Sequence, residues 1–167
     1  NQAWADRARY LTTQAKDDPI EYIHNEIGYN YRLSNIQAAM GVAQMEQIEE
    51  FIAKKKAIAG GYEAGFRDIE EVSLMAYQAQ VEPVHWLYTI LMKVGTTLAD
   101  RKVFIKQLNE AGIGARPLWH PVHSLPPYAN CQAFKIEHAV DLYTRGVSLP
   151  SSVGLEDQDL QRTIAAV

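Results

Sequence analysis

Apolar residues recur at helical spacing over the first third of the chain. One stripe predicts a short helix over residues 3–15, which Asp17-Asp18-Pro19 ends. A second stripe predicts a single helix from about Ile36 to Phe66, roughly 45 Å long at about 1.5 Å per residue. Such a helix is too long for one small domain to cover, so we expect it to bridge two domains. Residues 20–33 between the stripes show no regular pattern and predict an irregular loop.

Beyond Phe66 the pattern changes to short apolar runs that alternate with amphipathic segments. The runs predict strands, and the segments predict helices. The predicted strands are 71–74, 85–94, 113–118 and 147–150, and the predicted helices are 97–111, 134–144 and 157–167. This order predicts an α+β fold, with a small antiparallel sheet and helices packed on it.

Composition narrows the class of protein. A chain of 167 residues with 47% hydrophobic content can form one ordinary core, and a net charge of -4 gives no reason to expect nucleic-acid binding. The single cysteine, Cys131, cannot form an internal disulfide or a cysteine metal cluster. No apolar run approaches the ~20 residues that span a bilayer. We therefore expect a cytoplasmic protein with no membrane partner.

The segment Gly28–Gly41 joins a turn rich in aromatic and polar side chains to the start of a helix. Ser34 can cap that helix, and Gln37 stands three residues later, as a capping box requires. Asn30 and Arg32 therefore lie just before a helix N-terminus, where anions are stabilised. The Asn30 amide either donates to a phosphate oxygen or only holds the turn. Gly28 itself is expected where the backbone needs angles that a side chain would forbid.

This segment resembles a known signature. Gly-Tyr-Asn-Tyr-Arg from Gly28, followed by Ile-Gln-Ala-Ala-Met-Gly from Ile36, is similar to a motif of the DegT/DnrJ/EryC1/StrS family. These are pyridoxal-phosphate (PLP) sugar aminotransferases with the aspartate-aminotransferase fold, fold type I. Residues 116–128 resemble the family's Arg-Pro-x-aromatic-x-Pro-x-His segment, and Leu149-Pro150-Ser151-Ser152 resembles its C-terminal region.

The resemblance implies that the chain is the C-terminal part of such an enzyme. Residues 1–65 would be the end of the large domain and the interdomain helix, and residues 66–167 would be the small C-terminal domain. Family members carry the lysine that bonds to PLP upstream of the motif, whereas this chain begins 27 residues before Gly28. None of its lysines has the expected Ser/Gly-rich setting, and Lys54–Lys56 are interpreted as a solvated helix face. We therefore expect no catalytic lysine here, a missing N-terminal large domain and an inactive isolated chain.

The cofactor contacts follow from the same resemblance. The family's Asn at the position of Asn30 reaches the PLP phosphate of the partner subunit, which implies a homodimer. Tyr29 would line the same seam. Arg32 would bind a substrate phosphate or carboxylate, or pair with an acid at the dimer interface.

Substrate contacts are predicted in the later segment. Trp119, His120 and His123 lie in a proline-bounded loop, where the indole can stack on a base or hexose and the histidines can donate to hydroxyls or a diphosphate. Alternatively, His123 hydrogen-bonds the backbone of its own loop. No third ligand accompanies the two histidines, so no metal site is predicted.

Three further residues each have two possible roles near the same pocket. Arg116 either contacts an anionic group or ties the sheet to the loop. Trp86 and Tyr88 fit a core better than a ligand site, with Tyr88 the better substrate candidate of the two.

The implied reaction is amino transfer from glutamate to a nucleotide-linked 4-keto-6-deoxy sugar, for a surface polysaccharide or glycoconjugate. Two alternatives remain open. Some family members carry a histidine in place of the lysine and act as PLP-dependent sugar dehydratases. The other alternative is a non-catalytic module in which the long helix only mediates dimerisation.

Overall fold

The computed structural model describes residues 1–18 and 20–167, which form six helices, a four-stranded sheet and two 3-10 turns. The helices are α1 Gln2–Thr12, α2 Asn35–Met45, α3 Ile48–Phe66, α4 Leu98–Glu110, α5 Glu137–Arg145 and α6 Asp157–Ala166. The strands are β1 Val72–Leu74, β2 Tyr88–Met92, β3 Arg116–Pro117 and β4 Gly146–Leu149. The 3-10 turns are Val122–Ser124 and Pro126–Tyr128.

The chain divides into two compact units, Asn1–Ile48 and Glu49–Val167. The domain boundary expected at residue 65 is a separate matter and stays a prediction. Pro19, part of the predicted helix break, lies outside the described residues. No helix in the described part of the chain has both the length and the apolar composition that crossing a membrane requires.

In the first unit, the turn around Gly28 is tied to the end of α1. The backbone N–H groups of Tyr29 and Tyr31 donate to α1 carbonyls at 2.7 and 3.0 Å. A Cβ on Gly28 would lie 2.3 Å from the backbone nitrogen of Ala15. Glycine is therefore needed here for a close backbone approach, and not for the unusual backbone angles that we expected.

The start of α2 follows the sequence signal. The Ser34 hydroxyl accepts from the Gln37 backbone N–H, and the Gln37 side chain accepts from the Ser34 N–H at 2.9 Å, so the predicted capping box is confirmed.

The prediction of a single helix from Ile36 to Phe66 is wrong, because the helix is interrupted at Glu46 and Gln47. The Gln47 backbone N–H donates to the Gln44 carbonyl. The Gln47 side-chain amide donates to the Ala43 carbonyl at 3.1 Å. A continuous helix would have paired that carbonyl with the Gln47 backbone.

The second unit contains the predicted antiparallel sheet, with strand order β1-β2-β4-β3. Its core combines one face of α3 with the sheet and the inner faces of α4 and α6. The central members are Ile58, Tyr62 and Phe66 of α3, Ile90 and Val147 of the sheet, Leu108 of α4 and Leu160 of α6.

Tyr62 links α3 to the end of β4. Its ring stacks between Phe66 and Tyr88 at centroid distances of 5.6 and 4.7 Å, and its hydroxyl donates to the Pro150 carbonyl at 2.7 Å. Burial raises the pKa of Tyr62 to about 12, because the phenolate would lose its hydration. The neutral, hydrogen-bonded form is thus the one that the core holds.

Two glycines allow α6 to approach α3 closely. A Cβ on Gly61 would lie 2.6 Å from Leu160 Cδ2, and one on Gly65 would lie 2.7 Å from both Cδ1 and Cγ2 of Ile164. Each pair of residues is four apart on its helix and so shares one helix face. The two helices therefore meet along a stripe that lacks side chains on α3.

Candidate functional site

The second unit carries an open groove, formed by two adjoining cavities of about 370 and 210 Å³. Both are lined by Trp86, Leu87, Arg116 and Ser148, and we call them together the Trp86 groove. The larger cavity extends to Lys55 and to residues 149–152, and the smaller extends to Pro117 and Trp119. The groove thus joins the predicted Arg116 segment to the predicted C-terminal motif.

Strand pairing brings Arg116 to this groove. Ser148 of β4 pairs with Thr89 on one side and with Arg116 on the other, so the three residues form one row across the sheet. The hydroxyls of Thr89 and Ser148 lie 3.1 Å apart. Arg116 is exposed, and its guanidinium makes no ion pair or hydrogen bond with the residues that the structure describes. The cation is therefore available to a ligand.

Two tryptophans stack beside Arg116. The indole rings of Trp86 and Trp119 are 5.7 Å apart and inclined by 19°. Trp86 is 67% exposed and Trp119 is 69% exposed, so the prediction that Trp86 belongs to the core is wrong. Exposed, paired aromatic faces are suited to stacking on a planar ligand.

Tyr88 lies in the core, which confirms the first of its two predicted roles; the other was a contact to substrate. It is 5% exposed and stacks on Tyr62, and burial raises the pKa of its hydroxyl. The structure does not bring Tyr88 to the Trp86 groove.

Lys55 is a groove residue that the sequence analysis missed. Its ammonium donates to the Trp86 carbonyl at 2.9 Å and to the Ser151 carbonyl, and burial lowers its pKa. An ammonium has three donors, so one remains after these two bonds. No local pattern marks this contact, since Ser151 is 96 positions away in the chain.

The two loop histidines are held differently. The Nδ1 atom of His120 lies 3.0 Å from the Ser124 hydroxyl, and its ring packs 5.0 Å from the ring of Tyr143. His123 is half-buried within the 3-10 turn Val122–Ser124. Neither lines the Trp86 groove as described, and their substrate role stays a prediction.

The first unit holds the predicted cofactor residues. Asn30 is exposed, its backbone bridges to Thr13, and its side chain makes no hydrogen bond within the described part of the chain. Tyr29 stacks on Tyr31 at 5.2 Å. Arg32 donates weakly to the Gln14 side chain at 3.4 Å. The amide of Asn30 is therefore free to donate to an oxyanion.

This unit is also unusually apolar on its surface. Ala15 is the one buried residue among its described residues, whereas twelve large hydrophobic side chains are exposed. These are Trp4, Ile20, Tyr22, Ile23, Ile27, Tyr29, Tyr31, Leu33, Ile36, Met40, Val42 and Met45. Exposed apolar surface on this scale marks an interaction face.

Comparison with known proteins adds sequence relatives. The sequence profile of the DegT/DnrJ/EryC1/StrS aminotransferase family matches residues 1–167. GDP-perosamine synthase of Caulobacter vibrioides is 34% identical over 164 residues, which are 98% of this chain and 44% of that protein. GDP-perosamine synthase of Escherichia coli O157:H7 is 34% identical over 155 residues, which are 93% of this chain and 41% of that protein. The chain therefore spans less than half the length of these relatives.

A solved structure gives the same picture of the fold. Helicobacter pylori PseC, an aminotransferase involved in the biosynthesis of pseudoaminic acid, superposes with a TM-score of 0.84 at 22% identity. The match covers 99% of this chain and 45% of PseC. This likeness confirms the predicted fold, in which helices pack on a small antiparallel sheet.

Proposed function

Because the chain belongs to the DegT/DnrJ/EryC1/StrS aminotransferase family, we propose that it is the C-terminal part of a PLP-dependent nucleotide-sugar aminotransferase. The reaction moves an amino group from glutamate to a nucleotide-linked keto-deoxy sugar, for polysaccharide or glycoconjugate synthesis. The observation that supports this class of substrate is the Trp86 groove, where stacked indoles adjoin two cations. The two relatives named as GDP-perosamine synthases support a nucleotide-linked substrate.

Each part of the groove matches one part of a nucleoside diphosphate. The exposed faces of Trp86 and Trp119 offer a stacking surface to the base. The unpaired guanidinium of Arg116 can hold phosphate oxygens through two parallel hydrogen bonds, and the remaining donor of Lys55 adds a second cation. An aromatic ring joined to two or three negative charges satisfies all four residues at once.

The first unit supplies the cofactor contact. PLP, when bound, acts as an electron sink for amino transfer. The free amide of Asn30 would donate to its phosphate, and the turn is held in place by the Tyr29 and Tyr31 backbone bonds. We place the covalent bond to the cofactor on a lysine outside residues 1–167, because the eight lysines here lack the expected setting.

The partner of the first unit is a second copy of the enzyme together with the large domain. Its exposed apolar residues include Ile36, Met40 and Met45 on α2, directly after the cofactor turn. A surface that joins two subunits there would bring Asn30 to the partner's cofactor. The homodimer thus explains both the apolar face and the unpaired amide.

Nucleotide binding tests the groove directly. We expect GDP, UDP or dTDP to quench tryptophan fluorescence. Arg116→Ala should lower the affinity for the preferred nucleoside diphosphate at least tenfold, because a charged hydrogen bond contributes about 1.5–3 kcal/mol. Trp119→Ala should weaken it by about tenfold through lost stacking. Trp4→Ala removes an equally exposed indole from the first unit and is the control. If all three variants bound the nucleoside diphosphate with equal affinity, the Trp86 groove would not be the nucleotide site.

Cofactor binding tests the turn. In the dimeric holoenzyme, Asn30→Ala should raise the dissociation constant of PLP by about tenfold, since one hydrogen bond to a charged phosphate is lost. Asn30→Asp should raise it further, because the new carboxylate repels the phosphate. Equilibrium dialysis of PLP measures both. The control is Asn25→Ala, on the same loop, and a loss of equal size there would contradict a specific role for Asn30.

A further inference from the structure

A larger cavity, of about 520 Å³, lies along α4. Its lining combines the α4 side chains Arg101, Lys102 and Lys106 with Tyr143 of α5. Pro117 is the residue that this cavity has in common with the Trp86 groove. The proposed aminotransferase reaction gives this cavity no role.

Arg101 is the unusual member. It is 2% exposed, yet its guanidinium has no carboxylate partner among the described residues. One nitrogen donates to the Tyr143 carbonyl, and the guanidinium carbon lies 4.5 Å from the centroid of the Tyr143 ring. The Nε atom is buried with no hydrogen-bond partner. A buried cation without a counter-charge is unfavourable, so the cavity is electrostatically suited to an anion.

The other residues that line the cavity also supply more hydrogen-bond donors and positive charge than acceptors and negative charge. Lys102 and Lys106 are exposed on α4, and the lining's single acid, Glu110, is engaged by Lys106 at 3.6 Å. Asn109 uses its carbonyl oxygen to accept from the Ala115 N–H at 3.0 Å, which leaves its NH₂ group as a donor. The lining of the cavity therefore contains three cations and a free amide NH₂ group, but a single carboxylate, which is already paired.

We propose that this cavity binds a small phosphate-bearing anion between Arg101, Lys102 and Lys106. The site goes beyond the proposed amino transfer and does not depend on it. The chain carries a net charge of -4, so a polyvalent anion is repelled by the molecule as a whole and is attracted only where cations are concentrated. Phosphate is favoured over a carboxylate because it offers oxygens to three cations at once.

The test titrates inorganic pyrophosphate into the protein at physiological salt and measures heat. We expect saturable binding below about 1 mM and a loss of about tenfold in Lys102→Gln/Lys106→Gln. Both lysines are exposed, so this variant should keep its fold, which circular dichroism checks. Lys93→Gln/Lys135→Gln makes the same change in charge at exposed positions outside the cavity and should bind as the parent does. Arg101→Lys should weaken binding more strongly, and circular dichroism checks the fold of this variant as well.

Three results would overturn the proposal. One is no binding up to about 10 mM pyrophosphate. Another is an equal loss in the two lysine double variants, which would indicate general charge attraction only. The third is loss of pyrophosphate binding in Arg116→Ala with the lysine variants unaffected, since that places the anion in the Trp86 groove. Because the GDP, UDP and dTDP titrations report on the groove separately, failure of either site is recognised independently.

Discussion

Gly146→Ala is expected to lower the free energy of unfolding of the second unit by about 3 kcal/mol. A Cβ at this position would lie 2.4 Å from Leu118 Cδ1 and 2.6 Å from the Leu142 carbonyl oxygen. That carbonyl is the acceptor for the Gly146 N–H, which closes the end of α5. The methyl group can fit only if this bond or the β3–β4 pairing shifts.

Urea unfolding followed by circular dichroism measures the loss. Gly60→Ala is the matched control, because Gly60 is exposed on α3 and its Cβ would meet no described atom within 4 Å beyond its own stretch of helix backbone. Alanine there should stabilise the helix by up to about 1 kcal/mol. Leu118 directly precedes Trp119, so we also expect Gly146→Ala to change tryptophan emission. If both alanine variants were at least as stable as the parent, the close approach at Gly146 would be disproved.

Gly65→Val is also expected to lower the free energy of unfolding by about 3 kcal/mol, because it separates α3 from α6. Two atoms of Ile164 lie 2.7 Å from the position of the added Cβ, and a β-branched side chain in a helix has almost one rotamer with which to avoid them. Valine is a better helix former than glycine. A loss of stability therefore has to come from packing.

The comparison uses the same substitution five residues earlier. Gly60→Val places the same side chain on the exposed face of α3 and should change the unfolding free energy by less than about 0.5 kcal/mol. The same urea titration measures both variants. Equal stabilities of Gly65→Val and Gly60→Val would mean that α6 does not rest on this stripe.

Local signals in the sequence predicted local structure correctly. Ser34 and Gln37 form the expected capping box because both partners lie within one turn of helix. The alternating pattern after Phe66 located four strands and three helices, since burial of one face imposes its period on each element. The interruption at Gln47 was missed because it arises from a side-chain amide competing for a carbonyl, which changes no hydrophobic period.

The candidate site was predicted less completely, because its residues meet through long-range contacts. The sequence predicts that Lys55 is solvated, whereas its ammonium donates to the carbonyls of Trp86 and Ser151. Trp86 and Tyr88, two residues apart, would share a face in a regular strand. The backbone bends at residues 86 and 87, and β2 begins only at Tyr88, so strand alternation does not extend to Trp86, which is exposed while Tyr88 is buried. A bend of this kind leaves no pattern in the sequence.

The near absence of a core in residues 1–48 has a thermodynamic consequence. With Ala15 as the one buried residue that the structure describes there, folding of this part gains little free energy from its own contacts. In the proposed dimer this part would be ordered by association, so its stability would depend on protein concentration as well as on temperature. Dilution should melt this end of the protein first, while the sheet around Ile90 stays intact.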